Sequence, residues 1–358
     1  MQPSGSFKYR GISRVLQAHA ARLGASEARK PHVITSSGGN AGLAAATAAR
    51  ALEMPCTVFC PTSVEDYIVE QLRAEGAEVV QAGAAWDICD QGARKRAQEI
   101  EADMPGGSIY VHPFEGEDLV AGHSSMVKEI YRQLAQMNDA GGERKPDMIV
   151  CSVGGGGLLA GVLTGIQDML QSSQSTEHLP HVVAAECIGA DSFSQSYRQG
   201  SLKTLPAITS AATSLGALTP SQKTLDLAKS YAAQCTKAAQ DSKVSSPGGF
   251  STVVMPDRMA AYCAWQFAKD SKLIVELACS ASLAPVYFAE TLLPTLLKDA
   301  QKSCESESSE KKNIVIIVCG GSKVSAADLE RWRKELPDAS AALVGEDWMC
   351  ETHSGAGK

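Results

Sequence analysis

Short apolar runs alternate with longer amphipathic stretches along most of this chain, and no other feature constrains its fold as strongly. The runs His32–Thr35, Cys56–Cys60, Ala77–Gln81, Ser108–Val111, Asp147–Cys151, His181–Glu186 and Asn313–Val318 read as strands. Helical patterns lie between them over Asn40–Glu53, Val64–Glu75, Ala84–Ala102, Glu117–Met137 and Leu158–Leu170. A strand reaches a parallel neighbour only by a crossover, and a helical crossover lies over the sheet. The expectation is therefore an α/β fold with ligands at the carboxyl ends of the strands. With 358 residues, 44% of them hydrophobic, the chain can build two lobes of parallel-type sheet covered by helices. We place the lobes at 2–122 and 123–358. The stretches Gln171–His178 and Gln301–Lys312 read as surface loops, Ser242–Thr252 as a turn or insertion, and Ser354–Lys358 as a disordered tail.

Charge and cysteine usage remove several function classes. The net charge is −7, and the longest basic cluster, Arg94-Lys95-Arg96, falls in a helical pattern, which argues against nucleic acid as a partner. No stretch of 18 apolar residues is present, so no membrane span is expected, and no signal peptide is visible. The eleven cysteines form no CxxC pair, which argues against structural zinc and points to reduced thiols in an intracellular, cytoplasmic setting. A mitochondrial setting would need a targeting segment ahead of Met1.

Four segments carry chemistry. Lys8 stands in Ser4-Gly5-Ser6-Phe7-Lys8-Tyr9-Arg10-Gly11, between small residues and a helix start. Its amine can form a Schiff base with an aldehyde if its surroundings lower its pKa. Gly154, Gly155, Gly156 and Gly157 follow an apolar strand and precede an apolar helix beginning at Leu158. Glycines there let backbone N–H groups approach a phosphate at a helix N-terminus. No lysine follows them, so this is not a nucleotide P-loop, and the spacing is not that of a dinucleotide site. Thr35–Gly42 also joins a strand to a helix, and its hydroxyls, glycine N–H groups and Asn40 amide suit a carboxylate and a ring hydroxyl. The same residues equally make a helix N-cap cluster. Ile316–Ser322 is a strand ending in a small polar cluster, where Cys319 taken alone is plain core.

Together these segments resemble the fold type II pyridoxal-phosphate enzymes, the tryptophan synthase β-like fold, and within them the L-serine/L-threonine dehydratases. Gln2–Gly11, Ser36–Gly42, Gly154–Leu158, Glu186–Phe193 and Val318–Ser322 carry the likeness, in the family's order. The resemblance implies pyridoxal 5'-phosphate held by Lys8 as a Schiff base, with Phe7 beside its ring and Asn40 at its ring hydroxyl. It implies a phosphate cradle of Gly154–Gly157 with Leu158, and Cys319 facing the pyridine nitrogen. Ser37, Gly38, Asn40 and Ala41 would hold the substrate carboxylate, with Lys8 and Ser37 as the catalytic residues. Glu186, Ala190 and Ser192, with carbonyls at Leu215 and Ala217, resemble a monovalent-cation (K+) site.

The implied reaction is β-elimination of L-serine and L-threonine to a 2-oxo acid and ammonia, in a homodimer acting on small amino acids. Freed Lys8 is the natural base for the α-proton. Cys319 is not a carboxylate, so the cofactor is a weaker electron sink, which favours prompt loss of the β-hydroxyl over transamination. Gly38 is expected to leave room beside the substrate for threonine. The chain departs from the family in two places. Members carry several dozen residues and a strand ahead of the lysine motif, so the competing expectation is a weak or inactive truncated relative that acts as a binding protein. The stretch Gln234–Thr252 reads as an unassigned insertion. No regulatory domain is expected after Trp332.

Overall fold

Val33 and Ile34 are neighbours in sequence and both fully buried, yet they pack into two different apolar clusters. A strand covered on both faces demands this, because successive side chains point to opposite sides. The computed structural model describes residues 2–23, 30–83, 86–137, 144–173, 178–241, 244, 246–301, 312–335 and 349–352. The tail Ser354–Lys358 lies outside them, as do parts of the three loop stretches named above.

The chain divides into two compact units, Met1–His123 with Gly320–Lys323, and Ser124–Cys319 with Val324–Lys358. In the first unit β1 (His32–Thr35), β2 (Cys56–Cys60), β3 (Glu78–Gln81) and β4 (Ser108–Val111) form a parallel sheet in the order β3-β2-β1-β4. One face brings Val33, Val58 and Ile109 against three helices. These are α1 (Lys8–Leu23) through Ile12 and Leu16, α2 (Asn40–Ala51) through its alanines, and α3 (Asp66–Ala74) through Ile68 and Leu72. The other face brings Ile34 and Phe59 against Cys89, Ala93 and Ala97 of α4 (Trp86–Asp103). The unit boundary falls within α5 (Glu117–Gln136).

The second unit is built on β5 (Met148–Ser152), β6 (His181–Cys187), β7 (Gly249–Met255), β8 (Ile314–Ile316) and β9 (Met349–Thr352), ordered β8-β5-β6-β7-β9. The first four are parallel, and β9 runs antiparallel to β7. All residues of β5 and β6 are buried, as expected for central parallel strands. α6 (Gly157–Ser173) follows β5, α7 (Ser192–Gln199) follows β6, and α8 (Gln222–Ala238) and α9 (Asp257–Ser271) flank β7 in sequence.

Three strands depart from the sequence reading, and one of them, β9, was not expected at all. The turn expected over Ser242–Thr252 ends at Gly248, whose φ of +67° and close approach to Leu179 require glycine. From Gly249 the chain pairs with β6 over seven residues, so the two ends of the stretch Gln234–Thr252 belong to α8 and β7. The strand expected over Asn313–Val318 is shorter, and the chain leaves the ladder after Ile316. Among the described residues no single helix is long and apolar enough to cross a membrane, and nine cysteines are buried without disulfides.

Candidate active site

Lys8 is the first residue of α1, and the segment before it is held by the loop after β8. Gly321 N–H donates to the Gly5 carbonyl at 3.0 Å, and Ser6 bridges to Gly320. Gly320 has φ +81°, and a Cβ there would stand 2.2 Å from the Gly5 carbonyl oxygen, so only glycine allows this contact. Lys8 Nζ donates to the Pro113 carbonyl at 2.5 Å and lies 5.1 Å from the centre of the Phe7 ring. Phe7 in turn packs 5.0 Å from His123. The Ser4 and Ser6 hydroxyls and both nitrogens of His123 are buried with no hydrogen-bond partner among the described residues. Burial first, then Lys8 and Arg10, hold the His123 imidazole well below its usual range, so it stays neutral.

Thr35–Gly42 forms the turn from β1 into α2. Asn40 is the first residue of the helix, and its Oδ1 accepts both the Ser322 N–H and the Ser322 hydroxyl at 2.9 Å. That pair of bonds fixes which way the Asn40 amide points. The turn is as tight as its glycines suggest. A Cβ at Gly38 would meet Val64 Cγ2 at 2.6 Å and Cys60 Cβ at 2.7 Å. The space that a side chain at Gly38 would take is therefore filled by Val64 and Cys60.

Ser36, fully buried at the head of this turn, donates to Asp90 Oδ1 of α4 at 2.6 Å. Asp90 also accepts from the Tyr110 hydroxyl and, at 2.7 Å, from Arg94 Nε. Burial pushes the Asp90 carboxyl up, but hydrogen bonds from Ser36, Tyr110 and Arg94 outweigh it and hold the group below the usual carboxylate range. Asp90→Ala is expected to cost about 2–4 kcal/mol, read by urea unfolding, because the Ser36 and Tyr110 donors lose their acceptor. Arg94 is half exposed and adds little. The folded value is depressed, so the contribution is complete above the ordinary value of 3.8 and is lost as pH falls below it. That acid limb should be missing from Asp90→Ala; equal acid sensitivity in both proteins would count against the network.

In the second unit Gly154–Gly157 join β5 to α6. A Cβ at Gly154 would lie 3.1–3.3 Å from the Leu215 backbone. Gly156 has φ +101°, and a Cβ there would lie 2.6–2.8 Å from the Thr224 side chain. The Gly155 carbonyl accepts from Ser221 N–H at 3.0 Å, and Leu158 is buried in the first turn of α6. Cys319 Sγ is 3.2 Å from Ser152 Oγ. A hydrogen bond with Cys279 holds the Cys319 thiol below its ordinary range against the burial that would raise it.

Glu186 ends β6 with no exposure, and burial pushes its carboxyl up to about 8. Phe193 N–H at 3.1 Å, Ser194 N–H at 2.7 Å and the Ser194 hydroxyl donate to it, so it caps the start of α7. The hydroxyl of Ser192 is buried and unpartnered, Ala190 N–H donates to the Cys187 carbonyl, and Ala217 N–H donates to the Leu215 carbonyl at 2.7 Å. No group of three or more His, Cys, Asp or Glu placed to hold a metal ion occurs among the described residues.

Each unit by itself thus gathers one set of the expected residues. Lys8, Phe7, Ser37, Gly38, Asn40 and Ala41 lie in the first, and Gly154–Leu158, Glu186, Ala190, Ser192, Leu215, Ala217 and Cys319 in the second. The sequence reading placed Ser322 in a chemical segment without giving it a role, and it missed Pro113 and Asp90. Of the two missed, Asp90 left a trace, its i,i+4 spacing to Arg94.

A helix start crowded against its neighbours at two glycines fits a phosphate group. The buried, unpartnered hydroxyls of Ser4 and Ser6, in the segment that leads into Lys8, fit a polar ligand. Comparison with known proteins adds to that fit. The family model for pyridoxal-phosphate dependent enzymes matches residues 1–320. The catabolic L-serine/threonine dehydratase of Saccharomyces cerevisiae is 34% identical over 330 residues, covering 92% of this chain and 83% of that protein. A serine dehydratase-like protein of Rattus norvegicus is 36% identical over 336 residues, covering 94% and 87%. The crystal structure of a fungal L-serine ammonia-lyase from Rhizomucor miehei superposes with a TM-score of 0.73 at 28% identity, covering 94% of this chain and 90% of that one.

Proposed function

We propose that this chain, which belongs to the family of pyridoxal-phosphate dependent enzymes, is an ammonia-lyase that converts L-serine and L-threonine to 2-oxo acids and ammonia. The observation that carries this reading is the likeness to the yeast L-serine/threonine dehydratase over 92% of the chain. Pyridoxal phosphate, when bound, supplies an aldehyde that links to amines and a ring that withdraws electrons from the substrate Cα.

In this reading the first unit supplies Lys8, whose Nζ would hold the cofactor and later take the substrate α-proton. Phe7 would lie beside the ring, and the Asn40 amide, oriented by Ser322, would meet the ring hydroxyl. Ser37, Gly38, Asn40 and Ala41 would receive the substrate carboxylate at the start of α2, where backbone N–H groups have no helical partner. The second unit supplies the N–H groups of Gly154–Gly157, with Leu158, for the phosphate, and Cys319 for the ring nitrogen. Cys319, hydrogen-bonded to Ser152, puts no carboxylate there to keep the ring nitrogen protonated, which favours elimination over long-lived charge at Cα. Glu186, the orphaned Ser192 hydroxyl, Ala190 and the carbonyls of Leu215 and Ala217 are the proposed potassium ligands.

The test is release of pyruvate and 2-oxobutanoate, with equimolar ammonia, by purified protein loaded with pyridoxal phosphate. Both amino acids should react, and faster in potassium than in tetramethylammonium chloride at equal ionic strength. Absence of either 2-oxo acid from cofactor-loaded protein would refute the lyase reading. Equal rates in the two salts would remove the cation site alone.

A further inference from the structure

Lys8 donates to a backbone carbonyl, and what aims that carbonyl is a side chain with no role so far. We propose that His112 is a positioning residue for Lys8: its Nδ1 shapes the turn whose Pro113 carbonyl receives the lysine amine. The proposal rests on the reading of Lys8 as the reactive amine.

β4 ends at Val111, whose carbonyl is pinned by the Thr35 hydroxyl at 2.9 Å. The chain then turns toward α5. His112 Nδ1 accepts the Glu115 N–H at 2.9 Å and the Phe114 N–H at 3.3 Å. Accepting at Nδ1 places the ring proton on Nε2. Bonds from a side chain to N–H groups two and three residues on substitute for the backbone bonds of a turn, as Asn and Asp side chains commonly do. Pro113 sits inside this turn with its φ fixed by the pyrrolidine ring and no N–H of its own. Its carbonyl direction is therefore set by the residues on either side, and that carbonyl accepts Lys8 Nζ at 2.5 Å.

The imidazole is itself held in place. Phe114 packs edge-on at 4.6 Å and 77°, with Trp86 at 6.1 Å and Tyr110 at 6.5 Å. Burial is the main reason the ring stays below its usual range. Arg94 and Lys8 act in the same direction, and Glu115 and Asp90 oppose them. The Nδ1 lone pair is thus available at neutral pH. An amine resting on a fixed carbonyl has a fixed N–H direction, and the direction of its lone pair follows once it loses a proton. Angular placement of this kind is what a proton-transferring group needs.

Two variants separate this role from packing. His112→Phe keeps the aromatic contacts and loses the acceptor. His112→Asn loses the ring and keeps an acceptor of similar reach. In cofactor-loaded protein, His112→Phe should lower kcat for L-serine about tenfold or more with KM within about threefold, and His112→Asn should stay within about threefold of the parent. The rate at which Lys8 reacts with pyridoxal phosphate, followed by hydride trapping and intact mass, should be slowed in Phe and preserved in Asn. Thermal midpoints confirm that each protein is folded; His112→Leu replaces Phe if that variant unfolds. A purely packing role gives the opposite order, with Phe tolerated and Asn impaired, and that order would overturn the proposal. Because trapping is read without turnover, a parent protein that makes no 2-oxo acid counts against the lyase reading and leaves the test of His112 intact.

Discussion

Lys8→Ala is expected to lower the rate of 2-oxo acid formation by about four orders of magnitude while the protein stays folded. Alanine can neither link to an aldehyde nor carry a proton, so one substitution removes both the covalent hold and the base, whose removal alone costs about 10²–10⁴-fold. Stability should change little, because Lys8 is half-buried and the loss of its hydrogen bond to the Pro113 carbonyl is worth about 1 kcal/mol. Lys8→Arg should fare no better in catalysis, since a guanidinium stays protonated and does not form the link. The measurement pairs kcat with borohydride trapping: the parent protein gains the mass of reduced cofactor on the peptide carrying Lys8, and neither variant does. Either variant retaining more than about 1% of parental activity would place the reactive amine elsewhere.

The second large effect is expected at Gly42, through the backbone. A Cβ there would stand 1.8 Å from the Ser37 carbonyl oxygen and 3.0 Å from its carbon. Both partners of this collision are main chain, so no rotamer change relieves it. Gly42→Ala must push either the Ser36–Gly39 turn or the first turn of α2 out of place. Tight packing resists that, at a cost of about 1–3 kcal/mol or more. Since Ser37, Gly38, Asn40 and Ala41 are the proposed carboxylate site, displacement by about 1 Å should lower kcat/KM about 100-fold. Gly76→Ala is the control. Gly76 has φ +84° but nothing within 4 Å of a Cβ, so only local strain of about 1–2 kcal/mol is expected, with kcat/KM unchanged. Equal kinetic losses at both positions would mean that general destabilisation, and not the turn, is responsible.

The parts legible in the sequence were those whose cause is local. The parallel strands of the first sheet carried apolar runs between helical periods, and β1, β2 and β4 match their expected bounds. The glycine segments announced strand-to-helix turns. β7 did leave a signal, the β-branched run Thr252-Val253-Val254 after Pro247-Gly248, but it was masked by reading the turn too far. β9, Met349–Thr352, has no alternation, and only its antiparallel pairing with β7 makes it a strand.

The linear order of side chains was sufficient to specify layers of parallel sheet and helix, to mark Lys8 and Gly154–Gly157 as chemical positions, and to set the family. Burial periodicity and glycine spacing act over a few residues, so they survive in one dimension. Tertiary structure alone decided which groups hold those positions: Ser322 on Asn40, 282 residues away, Asp90 on Ser36, 54 away, and the Pro113 carbonyl on Lys8, 105 away. A carbonyl oxygen is common to every residue, and its direction depends on the dihedral angles around it. For that reason no residue name could reveal where the Lys8 amine comes to rest.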